Sequence, residues 1–234
     1  MKVNEYRGPD SRRVQQMFAG IAHRYDFLNH FLSISVDRRW RNLAVAKVRE
    51  LIPAGAASCL DVCSGTGDLA IALRRALSSD VVATDFCHPM LTLASEKDRS
   101  IPNVEADALK LPFRDSSFDA VTIAFGLRNL ENPMHGLSEF HRLLRPRGAV
   151  VVLEFSKPVI PVFREVFGLY FRYILPRVGG VISGDAAAYR YLHDSVVKFP
   201  SQKELSELMR SVGFRNVNYR NLSGGIAALH WGVA

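Results

Sequence analysis

Residues 60–70 read LDVCSGTGDLA, and the way this stretch leaves an apolar run, turns on glycines and enters a helical spacing decides the fold. Gly65 and Gly67 let a backbone approach a ligand closely, and Gly65, Gly67 and Ala70 meet the dinucleotide spacing G-x-G-x-x-G/A. Asp61 stands just upstream of the turn, however, and Asp68 directly follows its second glycine. A loop that greets a pyrophosphate gains nothing from negative charge on both sides.

Outward from this turn the rhythm repeats. Short apolar runs at 58–62, 80–84, 118–125 and 148–155 alternate with helical stretches, which is the βαβ pattern of a parallel sheet with helices on both faces. Ser116-Ser117 and Pro146-Arg147-Gly148 punctuate the approach to the third and fourth runs. Toward the N-terminus, Val14, Met17, Phe18, Ile21, Tyr25, Leu28 and Leu32 recur at helical spacing over 11–32, with Ser11 as the expected cap. A second helix is expected over 37–51, ending before Pro53. Toward the C-terminus a helix over 203–213, closed by Gly213, precedes strands at 215–219 and 226–233 that should pair as an antiparallel closing hairpin. The expectation is a single α/β domain over 1–234. Within it, 1–52 form a helical cap, 53–157 the cofactor core, 158–200 an apolar substrate or lid insert, and 201–234 a closing helix and strands.

The bulk numbers bound this reading without deciding it. The chain has 234 residues, 48% apolar and 23% charged, ordinary values for one globular domain with elaborations. No uninterrupted apolar run reaches the roughly 18 residues of a membrane span, and the polar first twenty residues show no signal-peptide core. Cys59, Cys63 and Cys87 form neither a C-x-x-C pair nor an even disulfide set, so a reduced, cytoplasmic protein is expected. His23, His30, His88, His135, His141, His193 and His230 show no metal-ligand spacing, and no metal is expected. The net charge of +7 suits an anionic membrane, an anionic cofactor or nucleic acid, and equally an ordinary solvated surface.

Charge separates the cofactors the glycine turn could serve. Asp85 ends the second strand, 18 residues beyond Gly67, where a carboxylate can accept both hydroxyls of a ribose, with Phe86 beside it. That feature fits NAD and S-adenosylmethionine alike. Asp61 and Asp68 repel a pyrophosphate but attract a sulfonium and an ammonium; at an effective dielectric of about 20, a pair 4 Å apart is worth on the order of 4 kcal/mol. The other reading of Asp68 is a cap on the helix that follows. VEADALKLPF at 104–113 adds Asp107, placed to take the exocyclic amine of adenine, and Ala108, whose N–H can reach a ring nitrogen. Asp61, the G-T-G turn, Asp85 and Asp107 in this order point to S-adenosylmethionine. An NAD(P) oxidoreductase, a methyltransferase of another small molecule or of RNA, and a non-catalytic quinone- or lipid-binding protein remain as alternatives.

The segments LDVCSGTGD, ATDFC, ADALKLPF, SFDAVTIAFGLRN and LLRPRGAVVVLEFSKP resemble the ubiquinone/menaquinone biosynthesis C-methyltransferase family. The resemblance runs from VQQMFAGIAHRYDFLN to AYRYLHDSV and GGIAALHWG, nearly the whole chain. It implies a Rossmann-like class I S-adenosylmethionine-dependent fold and methylation of a polyprenyl quinol, foremost demethylmenaquinol and also the ubiquinone-pathway benzoquinol. No nucleic-acid partner is implied. It carries cofactor contacts onto Thr66, Asp85 and the pair Asp107-Ala108. The chain departs from the family at Ala124, where many relatives carry serine, and at Ser35, where relatives usually carry glycine.

Methylating a ring carbon requires electron density there, which a quinol supplies once a hydroxyl loses its proton. A phenolic hydroxyl titrates near 10, and an adjacent cation lowers a pKa by about 1–3 units. Arg128, just past the third long strand within AFGLRN, is therefore expected to stabilise the quinolate, with Asn129 orienting a water or the second ring oxygen. Tyr25, Asp26, Tyr189 and Tyr191 are weaker candidates for the pocket wall. Between Pro161 and Pro176 a helix is expected whose face of Phe163, Val166, Phe167, Tyr170, Phe171 and Ile174 serves core packing, a homodimer contact, a lid over the prenyl tail, or peripheral docking at the inner face of the cell membrane.

Overall fold

The computed structural model describes residues 6–33, 36–52, 57–77, 80–161 and 186–234, with the side chains of 24–33 and 186–189 outside the description. Seven strands form one sheet: β1 (Ser58–Val62), β2 (Asp80–Asp85), β3 (Asn103–Glu105), β4 (Phe118–Ala124), β5 (Leu144–Phe155), β6 (Arg215–Leu222) and β7 (Ala227–Val233). Their order is β3-β2-β1-β4-β5-β7-β6. The first five run parallel, and β7 inserts antiparallel between β5 and β6, so the expected hairpin closes the sheet. Strand order reverses at β1, which places a ligand crevice beyond its carboxyl end between β2 and β4.

The strands are nearly continuous apolar runs because both faces are covered. Successive side chains alternate between faces. Leu60, Val62, Val121, Ile123, Val150 and Val152 meet Leu137 and Phe140 of α5 (Pro133–Leu143) and Leu205 and Leu208 of α7 (Gln202–Ser211). Cys59, Ala120, Val151 and Leu153 meet Trp40, Ala44 and Val48 of α2 (Val36–Leu51) and Leu69 and Leu73 of α3 (Asp68–Leu77) on the other side. The remaining described helices are α1 (Ser11–Ser33), α4 (His88–Lys97) and α6 (Ala186–Lys198).

Two boundaries differ from the sequence reading for identifiable reasons. Asp10, not Ser11, caps α1: its Oδ1 accepts the Arg13 N–H at 2.9 Å, while the Ser11 N–H donates to Glu131 at 2.8 Å. The fourth long strand begins at Leu144 rather than 148, because the chain pairs Leu144 with Phe118, bulges through Arg147 at φ 69°, and resumes with Ala149 opposite Ala120. Ser201 and Glu204 form a reciprocal capping box at the start of α7, and Gly213 takes φ 116° just beyond its end.

Candidate active site

The turn after β1 needs left-handed backbone at Cys63 (φ 53°), Gly65 (φ 55°) and Gly67 (φ 83°), which only glycine adopts without strain. The turn is drawn against β2 through Asp85. Its Oδ2 accepts the Gly65 N–H and its Oδ1 the Cys87 N–H, both at 2.9 Å. Burial pushes the Asp85 carboxyl up to about 6 against the pull of the Cys87, Gly65 and Phe86 amides. Each oxygen keeps a lone pair for a further donor. Phe86 is tied beneath α1, its carbonyl accepting Gln15 Nε2 at 2.6 Å.

An open cleft lies beyond these strands, lined by Gly65, Asp85, Phe86, Asp107, Ala108 and Asn129 among others, with Ser11 and Phe18 of α1 also on its wall. Asp107 lies two residues past β3, exposed at the rim, with Oδ1 accepting the Leu109 N–H at 2.9 Å. A second, smaller cavity is lined by Arg41, Asp61, Ser64, Thr66 and Asp68. Cys63, Ala124 and Phe125 line both, so the two adjoin at the carboxyl ends of β1 and β4. Close approach there depends on Gly126, where a Cβ would stand 2.5 Å from that of Cys63. Phe125, at φ 58°, is braced by Phe155 and Trp40 at ring separations of 4.6 and 6.1 Å.

Asp61 sits opposite Thr122 in the β1–β4 register, and Thr122 Oγ1 donates to its Oδ1 at 2.6 Å. Its Oδ2 and the Ser64 hydroxyl, both buried in the smaller cavity, have no hydrogen-bond partner in the protein. Burial lifts the Asp61 carboxyl to about 7, with the Thr122 hydroxyl, the Ala70 amide and Arg41 opposing. Two orphaned buried oxygens in one cavity call for a hydrogen-bond donor, which an ammonium supplies and a pyrophosphate does not. Thr66 is buried, with Oγ1 accepting Lys97 Nζ at 2.9 Å.

Asp68 contributes less repulsion than its place in the sequence suggests. Its carboxylate does not cap α3 but accepts Lys97 at 2.7 Å and Arg41 at 3.0 Å. The preference for a cationic ligand therefore rests on Asp61.

Arg128 and Asn129 follow β4 in a single 3-10 turn, Leu127–Asn129. Asn129 walls the larger cavity, where its Oδ1 accepts the Tyr191 hydroxyl at 2.8 Å and its Nδ2 donates to the Phe125 carbonyl at 3.3 Å. Arg128 is placed differently from a free cation facing substrate. It is 5% exposed, bonded through Nη1 to Glu154 at 2.7 Å and to the Phe125 carbonyl, and stacked over Phe155. Glu154 also accepts the Arg128 N–H at 3.2 Å and the Phe155 N–H at 2.8 Å. Burial pushes the hydroxyl of Tyr191 up to about 12, keeping it a donor.

Sequence reasoning missed Arg41 and Glu154. Tyr25, Asp26, Tyr189, Ser35 and the apolar stretch containing Phe167 and Phe171 lie outside the residues or side chains described. Ala124 keeps its place at the junction of the cavities with only a methyl group to offer.

The model of the ubiE/COQ5 methyltransferase family matches residues 6–234. The demethylmenaquinone methyltransferase of Deinococcus radiodurans is 48% identical over 221 residues, covering 92% of this chain and 90% of the relative. That of Thermus thermophilus is 47% identical, covering 92% and 99%. The ubiquinone/menaquinone biosynthesis C-methyltransferase UbiE of Geobacter sulfurreducens is 42% identical, covering 99% and 92%. Among solved structures, the [4+2]-cyclase SpnF has a TM-score of 0.72 at 15% identity, each chain 97% covered. A methyltransferase dependent on S-adenosylmethionine from Thermotoga maritima has a TM-score of 0.65 at 19% identity, with 93% and 98% covered. The structural likenesses establish the fold, which carries a cyclase as readily as a methyltransferase; it is the match along nearly the entire sequence that places this chain in the ubiE/COQ5 methyltransferase family.

Proposed function

We propose that this protein transfers a methyl group from S-adenosylmethionine to a ring carbon of a polyprenyl quinol, with demethylmenaquinol as the principal acceptor and the ubiquinone-pathway benzoquinol as a second. The reading rests on the pair of adjoining cavities, one with a buried Asp61 carboxylate whose Oδ2 has no partner in the protein and the other with Asp85, Asp107 and Asn129 on its wall. When bound, the cofactor supplies an electrophilic methyl on a sulfonium. Asp85 and Phe86 would hold its ribose, Asp107 and the Ala108 amide its adenine, and Gly65, Thr66, Gly67 and Asp61 its methionine end.

The quinol needs a ring oxygen held still and a proton removed. Asn129, fixed by Tyr191 and the Phe125 carbonyl, orients that oxygen, and a water accepts the hydroxyl proton; after transfer the methylated ring carbon gives up its own hydrogen to water as a proton, which restores the aromatic ring. The Arg128–Glu154 pair locks the turn that carries Asn129 and adds little net charge. Holding the reacting carbon in line contributes more than any single charge, since positioning alone supplies roughly 7–11 kcal/mol.

No described helix is long and apolar enough to cross a membrane. A polyprenyl quinol must nonetheless be collected from a bilayer, and we infer transient peripheral contact from the net charge of +7 and from Val159 and Ile160, 51% and 53% exposed at the approach to the apolar stretch. Quinone extracts of cells lacking the protein test the function. Accumulation of demethylated quinone supports it, and an unchanged quinone profile contradicts it.

A further inference from the structure

On the outer side of α2 and α3 an open groove is lined by Arg38, Arg41, Asn42, Asp68 and Arg75, with Lys97 of α4 beside them. Arg41 is held by Asp37 and by Asp68 at 3.0 Å, and Lys97 by Asp68 at 2.7 Å. Four cations thus face two carboxylates, and two positive charges are left over (four less two). Asp98 lies within electrostatic reach of Arg74 and Arg75, and counting Asp98 with Arg74 adds one charge of each sign, which leaves the surplus unchanged. Arg38 and Arg75 are exposed, and so is Arg39 next to Arg38.

The groove leads to the exposed apolar pair at the carboxyl edge of the sheet. Trp40, two residues past Arg38, donates its Nε1–H to the Ser223 hydroxyl at 3.1 Å, and its ring meets that of Phe155 edge-on at 6.2 Å. Val159, four residues beyond Phe155, donates its N–H to the Gly224 carbonyl at 3.0 Å. Two contacts therefore connect the arginines at the start of α2 with Val159 and Ile160. Guanidinium forks match phosphate oxygens, and apolar residues flanked by basic ones suit the boundary between headgroups and acyl chains. A soluble anion is better held by buried donors, whereas the spare charge here sits on exposed arginines. A nucleic acid gains from aromatic rings on which its bases stack; no aromatic side chain lines the groove, and the exposed Tyr219 stands on the edge strand β6.

We propose that the groove along α2 and α3 is a docking site for anionic phospholipid, in which Arg38 and Arg75 engage headgroup phosphates while Val159 and Ile160 enter the acyl boundary, bringing the carboxyl edge of the sheet to the bilayer. The purpose of such docking rests on the polyprenyl-quinol reading above. The proposal goes beyond that reading by naming the residues that dock and the lipid class they recognise. It also separates a local site from the overall charge of +7, because two particular arginines carry it.

The test sediments the full chain with vesicles of phosphatidylcholine alone and of phosphatidylcholine mixed with phosphatidylglycerol. The wild type should bind the mixed vesicles and not the neutral ones, less tightly as salt is raised. Arg38→Gln with Arg75→Gln should lower the partition coefficient roughly thirtyfold, at about 1 kcal/mol per basic residue. Arg114→Gln with Arg147→Gln removes the same charge from exposed positions at the opposite, amino edge of the sheet and should leave binding nearly unchanged. Val159→Ser with Ile160→Ser should weaken binding and keep its salt dependence. A wild type that binds neither vesicle, or both equally, would overturn the proposal. Equal losses in the two arginine pairs would overturn it as well, since only net charge would then be acting, and full binding by the serine variant would remove the apolar contact. Turnover of a short-chain demethylmenaquinol in free solution keeps the two readings apart. Turnover by a wild type that ignores vesicles overturns the docking alone, and vesicle binding without turnover overturns the quinol reading and leaves the docking site standing.

Discussion

Replacing Asp61 with asparagine should reshape how stability depends on pH. The Asp61 carboxyl lies near 7 in the folded protein against an ordinary 3.8, a rise of about three pH units worth about 1.4 kcal/mol each. Between pH 4 and 7 the folded state holds a proton that the unfolded chain has released, so stability falls as pH rises through that window. Above pH 7 the cost is fully present, about 4 kcal/mol at most. Asparagine can still accept the Thr122 hydroxyl but carries no charge, so Asp61→Asn without ligand should be about 2–4 kcal/mol more stable than wild type at pH 8 and nearly equal at pH 4. Asp85, raised to about 6, keeps its own share of the slope below pH 6 in both proteins. Urea denaturation across pH 4–8 reads the difference directly. Two stability curves that run parallel from pH 4 to 8 would show that the Asp61 carboxylate carries no burial cost. The same charge should make cofactor binding release protons near pH 6 in the wild type and not in the variant, measurable by calorimetry in buffers of different ionisation enthalpy.

Asp85→Ala should weaken S-adenosylmethionine binding roughly tenfold to a hundredfold, and unchanged affinity in a folded variant would remove Asp85 from the ribose site. Arg128→Met should destabilise the fold by about 3–5 kcal/mol because it strands Glu154 in the interior, and adding Glu154→Gln should recover much of that loss in denaturant titrations. Gly126→Ala should cost about 1–3 kcal/mol, since its Cβ would meet that of Cys63 at 2.5 Å, and should lower cofactor affinity; a stable variant with native affinity would show the loop to be softer than the geometry implies. Asn129→Ala should reduce turnover while leaving cofactor affinity within about twofold, a split that steady-state rates and calorimetry separate.

The parts of the site carried by local sequence were legible. A carboxylate at the end of β1, a glycine turn and a carboxylate at the end of β2 sit at fixed offsets because strands and turns impose them, and in the structure the Gly65 N–H meets Asp85 while Asp61 and Thr66 line the adjoining smaller cavity. Side chains whose meaning depends on a partner far along the chain were not legible. Arg41 stands in the run DRRWR, where nothing distinguishes it from its solvent-facing neighbours Arg38 and Arg39 until α2 packs beside α3. Glu154, inside an apolar strand, declares itself only when Arg128 folds onto it from 26 residues away. That pairing also changes what Arg128 can do, because a charge read alone in the sequence is half of a neutral pair in the fold. Asp68 was misjudged for the same reason, its two cations coming from α2 and α4. The cap at Asp10 shows the limit at shorter range, since either of two adjacent residues could start α1 and a contact with Glu131 decided it.

Carbon methylation of a quinol can be read out directly in vitro. Purified protein is mixed with S-adenosylmethionine carrying an isotopically labelled methyl group and with a short-chain demethylmenaquinol kept reduced, and the product is examined by mass and nuclear magnetic resonance spectroscopy. The product should carry one labelled methyl per molecule, bonded to the ring carbon, with S-adenosylhomocysteine formed in equal amount. Label on a ring oxygen, or no transfer to the quinol by a protein that binds the cofactor, would contradict it.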